Sequence, residues 1–215
     1  MGITTIYLIR HSEKLKIDGE YKTNENEQTK NEKIILSIEG EIKAQELSHK
    51  EELQKIDKIY TSHYTRAIAT AKYIAFENNI ELNIDERLGE RKLGVNIEDK
   101  IEKYKDTGVS KNINFTVEQL LDESLKCEYG ESNKEVRERM MDCVFEIIKN
   151  NHGKRVAVVS HGAAIKYFIQ NWCQYNYETD SFFFDGKEVC PRILEAPSVL
   201  ELKFEDENLV AIQKI

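Results

Sequence analysis

Apolar and polar positions along this chain fall into blocks of two periods, which predict strands and helices in turn. Ile3 to Ile9 is almost continuously apolar and β-branched, the pattern of a central strand covered on both faces. The following stretch, KIDGEYKTNENEQTKNEK, is charged and without period and reads as a loop, long enough to line a binding site. LSIEGEIKAQELSHKEELQKI predicts a helix, with Ser37 as N-cap and Ile38, Ile42 and Leu53 among its apolar positions. DKIYTS predicts a second strand and YTRAIATAKYIAFENN a helix with Ile68, Ala71, Ile74 and Ala75 on one side. IELNID predicts a third strand.

From Val95 to Lys126 the pattern is irregular and charged, with a helix expected around TVEQLLDESLK. NKEVRERMMDCVFEIIKN carries the clearest helical spacing, in Val136, Met140, Cys143, Val144 and Ile147. RVAVVS predicts a buried strand, HGAAIKYFIQNWC a helix, and SVLELKFEDENLVAIQKI a hairpin turning at EDEN. Strands alternating with helices imply βαβ units. The expected fold is therefore a three-layer α/β/α sandwich with a mainly parallel central sheet. We expect one domain over 1–215, with a lid or insertion at about 95–130.

Composition narrows the class. With 40% hydrophobic and 33% charged residues the chain reads as soluble and globular, and no apolar run is long enough to cross a bilayer. The start lacks the features of a secretory leader, and Ile6 stands where a myristoylation signal wants Ser or Thr, so a cytoplasmic location is expected. Cys127, Cys143, Cys173 and Cys190 have no metal-binding spacing and suit reduced thiols. A net charge of -8 disfavours nucleic acid as a partner. Any anion site must be a local concentration of cations.

Three strand-to-helix junctions supply one. The first strand runs into Arg10-His11, the second into TSHYTR with Arg66 in the first turn of its helix, and RVAVVS into His161-Gly162. In an open parallel sheet, ligands bind beyond the carboxyl ends of the strands, so these groups share a rim. Arginine forks match phosphate oxygens in pairs, and a neutral imidazole can accept a phosphoryl group. The first turn of the helix after His161 could add N–H groups to a bound anion. A leaving alcohol also needs an acid. Glu90, in DERLGERKLG, follows the third strand and is the candidate, with Glu86 and Glu98 nearby.

LIRHSEK, YTSHYTRAIATA, LGERKLG and VVSHGAAI, in this order, resemble the four signature segments of the histidine phosphatase superfamily, the phosphoglycerate mutase-like fold. LSIEGEIKAQELS and YGESNKEVRERM resemble further segments of that family, so the likeness spans essentially the whole chain. The resemblance implies His11 as the phosphorylated nucleophile, Arg10, Arg66 and His161 as the phosphate pocket, and Glu90 as proton donor. Gly162 stands where the family's second branch has an acidic Asp, which points to the branch with its acid in the LxE segment. Ser12 replaces the usual Gly or Ala. The mutases' SxWN and Gly-Trp segments are absent after the first motif, which favours a phosphatase.

The expected activity is hydrolysis of small phosphate monoesters without metal or cofactor. A mutase-type phosphotransferase and a catalytically silent phospho-ligand binder stay open as alternatives. A zinc site of His11, His161 and Glu90 is disfavoured by the two arginines. Glu13 either orients the histidine or is exposed, Ser62 is read as a cap or turn residue, and His49, His63 and His152 as surface residues. Trp172 and the SFFF stretch are read as core or edge-strand packing. The acidic, amide-rich loops suggest an ester with little negative charge beyond its phosphate. Substrate identity and oligomeric state have no readable signal.

Overall fold

Thr4–Arg10 (β1) is buried at every position but Arg10, as a strand with apolar side chains on both faces must be. In the computed structural model, which describes residues 2–17, 25–94 and 122–215, β1 lies inside a six-stranded sheet. Lys58–Thr61 (β2), Leu82–Ile84 (β3) and Arg155–Ser160 (β4) extend it on one side in the order β1-β4-β2-β3, all parallel. The C-terminal hairpin extends the other side, with Ser198–Glu205 antiparallel to β1 and Asn208–Lys214 antiparallel to Ser198–Glu205 in turn.

Alternate residues of β1 feed two cores. Ile6 and Leu8 pack with Val136, Met140, Ile165 and Phe168 on one face. Tyr7 and Ile9 pack with Leu47, Ala67, Ala71 and Ile74 on the other. The first face is covered by the helices Asn133–Asn150 and Gly162–Ile169, the second by Ile38–Ser48 and Thr65–Asn78. The expected sandwich is the observed one. Every apolar position expected on the Asn133–Asn150 helix is buried. Ser132 and Glu135 close a reciprocal capping box at its start, a contribution of about 1 kcal/mol.

Other expectations need correction. Within the stretch expected to be a loop, Glu27–Lys33 is helical (α1), capped by Asn26. It buries no residue of its own, so no apolar period marks it. Ile38–Ser48 (α2) is shorter than expected and turns Ile38 and Ile42 outward, burying Gly40, Ala44 and Leu47 instead. The reason is close approach: a Cβ on Gly40 would lie 2.0 Å from the Glu13 carbonyl oxygen. In chain order the remaining α-helices among the described residues are Thr65–Asn78 (α3), Asn133–Asn150 (α4) and Gly162–Ile169 (α5).

A second, antiparallel sheet of Gln174–Asn176 (β5), Ser181–Phe184 (β6) and Lys187–Pro191 (β7) precedes the hairpin strands β8 and β9. The SFFF stretch is β6, and Trp172 packs edge-on against Phe145, Phe168 and Phe204, in keeping with a packing role. Most of the expected insertion lies outside the described residues. Of the helix expected at TVEQLLDESLK, the described residues begin at 122, and 122–125 form a turn closed by the Leu125 amide on the Asp122 carbonyl. All four cysteines are free and buried. No helix among the described residues is long and apolar enough to cross a membrane.

Candidate active site

The register of the parallel strands brings the reactive junctions together. Arg10 pairs with Ser160 across β1 and β4, and Thr61 pairs with Val159 across β2 and β4. One residue further on, the His11 amide donates to the Ser160 carbonyl at 2.9 Å and the Ser62 amide to the Val159 carbonyl at 2.9 Å. His11, Ser62 and His161 therefore leave three adjacent strands at one rim. The two imidazole centroids are 5.0 Å apart.

His11 is 5% exposed and Arg66 3%. The imidazole Nδ1 lies 2.6 Å from the Ser12 carbonyl oxygen, which only an Nδ1–H can satisfy. That leaves a lone pair on Nε2, and Arg66 Nε donates to it at 3.1 Å. Burial, with Arg66 and then Arg10 adding to it, lowers the His11 pKa to about 3, so the ring is neutral at physiological pH. Arg66 Nη1 also donates to the Asn31 carbonyl at 2.6 Å, and its guanidinium lies 4.7 Å over the Tyr64 ring. Helix α1, which carries Asn31, is thus part of the site.

Arg10 reaches the same rim with Nη1 on the Leu194 carbonyl, while its buried Nε has no partner among the described residues. Gly162 makes room for it, because a Cβ there would sit 3.3 Å from Arg10 Nε. His161 is fully buried, with Nε2 2.8 Å from Ser62 Oγ and Nδ1 without a partner among the described residues. Burial, the neighbouring His11 and Arg66 hold its pKa well below the usual histidine range. Two neutral imidazoles between two guanidinium groups can accept an oxyanion without losing a proton to it.

Glu90 comes to this rim by another route. Its Oε2 accepts from the Ala163 amide at 3.2 Å, and its Oε1 from the Ala164 amide at 3.1 Å and its neighbour Arg91 at 2.9 Å. The first-turn N–H groups of α5, expected to face a bound anion, thus hold this carboxyl instead. A side-chain oxygen seated at a helix N-terminus is favourably placed against the helix dipole. Glu86 is exposed, and Glu98 lies outside the described residues.

All five candidate residues, Arg10, His11, Arg66, Glu90 and His161, gather around one cleft of about 1260 Å³, four of them on its lining and His161 immediately behind His11. Its outer wall carries Lys14, Lys16, Arg91 and Lys92. Among the described residues none of the three lysines forms an ion pair. The acids of the wall are engaged elsewhere, Glu13 with Lys43 at 3.0 Å and Glu27 with Lys30 at 2.7 Å. Among the described residues the outer wall is therefore cationic.

The smaller expectations divide. Glu13 does not touch His11; it pairs with Lys43 while its carbonyl receives the Ser37 amide at 3.0 Å. Ser12 fits without strain, its Oγ donating to the Gly40 carbonyl at 2.7 Å and its amide to Thr70 Oγ1 at 2.9 Å. Ser62 is more than a cap, since it holds His161. His63 is half-buried, edge-on against Tyr64 with Nε2 3.7 Å from the Glu32 carboxylate. Asn31 joins the site through its backbone carbonyl, which no side-chain pattern reports, whereas Arg139, which donates to the carbonyls of Arg87, Gly89 and Glu90, lies within the YGESNKEVRERM segment whose resemblance was its one sequence signal.

Over residues 6–187 the sequence matches the profile of the histidine phosphatase superfamily (branch 1). No curated protein matches the chain. Among solved structures it is similar to phosphoglycerate mutase from Bacillus anthracis (TM-score 0.67, 18% identity, 100% of this chain and 93% of that one covered). It is also similar to a mycobacterial glucosyl-3-phosphoglycerate phosphatase (TM-score 0.66, 16% identity, 99% and 97% covered). A phosphoserine phosphatase from Entamoeba histolytica aligns with a TM-score of 0.55 at 18% identity over 98% and 96% of the two chains. At these identities the structural likeness establishes the fold alone.

Proposed function

The chain belongs to the histidine phosphatase superfamily, branch 1, whose members work through a phosphorylated histidine, and on that premise we propose that it hydrolyses phosphate monoesters with His11 as nucleophile and Glu90 as acid and base. The observation that carries this reading is the neutral, buried His11, its Nε2 lone pair aimed at Arg66 and its Nδ1–H tied to the Ser12 carbonyl. An incoming phosphate takes over the Arg66 donor and frees that lone pair. In this reading Ser62 Oγ, 2.8 Å from His161 Nε2, is the donor of that pair, which leaves the His161 proton on Nδ1 for a phosphate oxygen.

In the first displacement His11 Nε2 bonds to phosphorus as the ester P–O bond breaks, and Glu90 gives its proton to the departing oxygen. In the second, Glu90 takes a proton from water as that oxygen attacks phosphorus and the N–P bond breaks. Inorganic phosphate leaves and His11 returns to neutral. Arg10 and Arg66 stabilise the charge on the equatorial oxygens throughout.

The cationic outer wall supports an alcohol part that carries a further anionic group, a carboxylate or a second phosphate. The names of the glucosyl-3-phosphoglycerate and phosphoserine phosphatases describe esters of carboxylated alcohols, in line with that reading.

A panel of p-nitrophenyl phosphate, glycerol phosphate and 3-phosphoglycerate, assayed with and without EDTA, tests it. Phosphate release that survives the chelator is expected. A kcat/KM for 3-phosphoglycerate roughly fivefold or more above glycerol phosphate is also expected, the equivalent of about 1 kcal/mol from a partly exposed ion pair. Phosphate binding without release would favour the silent binder, and isomerised phosphoglycerate without release the mutase. Equal turnover of the two alkyl esters would remove only the anionic-alcohol reading.

A further inference from the structure

We propose that Arg139 is a positioning residue that sets the Glu90 carboxyl over the leaving oxygen; the inference rests on the acid role given to Glu90 above. Residues 89–92 follow a single short turn of 3-10 helix, Glu86–Leu88, and belong to no regular element, so their backbone needs other partners. Side chains supply them. Arg139 Nη1 donates to the carbonyls of Arg87 at 2.6 Å and Gly89 at 3.0 Å, and its Nη2 to the carbonyl of Glu90 at 3.3 Å. Ser160 Oγ donates to the intervening Leu88 carbonyl at 2.7 Å. Every carbonyl from residue 87 to residue 90 is thereby held from the side.

The clamp has a second jaw. Arg139 forks onto Glu131, with Nε to Oε1 at 2.6 Å and Nη2 to Oε2 at 2.9 Å. Glu131 in turn accepts from the Lys92 amide at 2.9 Å, and its own amide donates to the Lys92 carbonyl at 2.8 Å. The pair therefore grips the chain on both sides of Glu90, and both side chains are under one-fifth exposed. Burial works to raise the Glu131 pKa, but the Arg139 fork and the Lys92 amide outweigh it and hold the carboxyl ionised. Arg139 stands two turns into α4, whose start is fixed by its capping box. It touches neither His11 nor the Glu90 carboxyl. Its hydrogen bonds reach the chemistry through the backbone that carries Glu90 to the α5 N–H groups, while its charge adds a minor part to the lowering of the His161 pKa.

Lysine keeps the charge of Arg139 but not the planar fork. Arg139→Lys should therefore lower kcat/KM for an alkyl ester such as 3-phosphoglycerate about tenfold or more. The loss for p-nitrophenyl phosphate should be several-fold smaller, because p-nitrophenoxide departs without a proton. Glu131→Gln, which opens the fork from its other end, should show the same selectivity. In an Arg139→Lys/Glu90→Gln double variant the Arg139 change should cost little more, since the group it positions is gone. Equal losses on both esters, full additivity with Glu90→Gln, or no loss at all would overturn the inference. Wild-type protein inactive on both esters would overturn the phosphatase reading and the clamp together, an outcome the wild-type control separates from failure of the clamp alone.

Discussion

His11→Ala is expected to lower kcat by at least about 10³-fold on every ester while the protein still folds. The residue sits on a buried strand end whose backbone bond to Ser160 does not need the ring. Arg66 loses its acceptor on Nε2 but keeps the Asn31 carbonyl and the Tyr64 face. The same substitution should change the response to acid. In the native protein the His11 pKa is about 3, against about 6.5 in the unfolded chain. Between those values the unfolded chain binds a proton that the native state does not, so stability is full above pH ~6.5 and falls as the pH drops toward ~3. The slope is about 1.4 kcal/mol per pH unit for one such group. Without His11 that slope should flatten by about one proton. Urea unfolding at pH 7 and pH 5, alongside phosphate release, checks both halves; retained turnover would remove His11 from the chemistry.

Glu90→Gln should produce a different signature. The amide keeps the volume of the carboxyl but can neither give nor take the required proton, and general acid–base catalysis of this kind is worth roughly 10²–10⁴-fold. For an alkyl ester kcat/KM should fall by about that factor. For p-nitrophenyl phosphate kcat/KM, which reports only the first displacement, should fall far less. Its kcat should still drop, because water attack on phosphohistidine lacks its base. The visible consequence is a burst of p-nitrophenol followed by slow turnover. Equal falls in kcat/KM on the two esters, with no burst, would place the acid on another residue.

The strands that deliver the site were legible because they are buried on both faces. RVAVVS and the first strand have no polar face to confuse their period, and the reactive residues stand directly at their ends. Helix α4 was legible for the converse reason, a clean apolar stripe over a polar surface. Helix α1 was not, since it buries nothing and attaches to the site through the Asn31 carbonyl and the Gln28 side chain on Tyr64. In α2 the expected stripe pointed the wrong way, because close backbone contact at Gly40 turns its small residues inward and Ile38 outward. The role of Ser62 depends on a partner 99 positions away in the chain, and a serine before a helix reads first as a cap. The α5 N-terminus reads from sequence as an anion position, and its occupant is a carboxyl of the chain itself.

The most direct test of the account is to quench the enzyme in alkali during turnover of p-nitrophenyl phosphate, using the Glu90→Gln variant to slow the second displacement, and to map the phosphoryl group by peptide mass analysis. The account predicts one phosphoryl group on Nε2 of His11, formed with the burst and lost as phosphate appears. A phosphoryl group on His161 or elsewhere, or none at all while product is released, would contradict it.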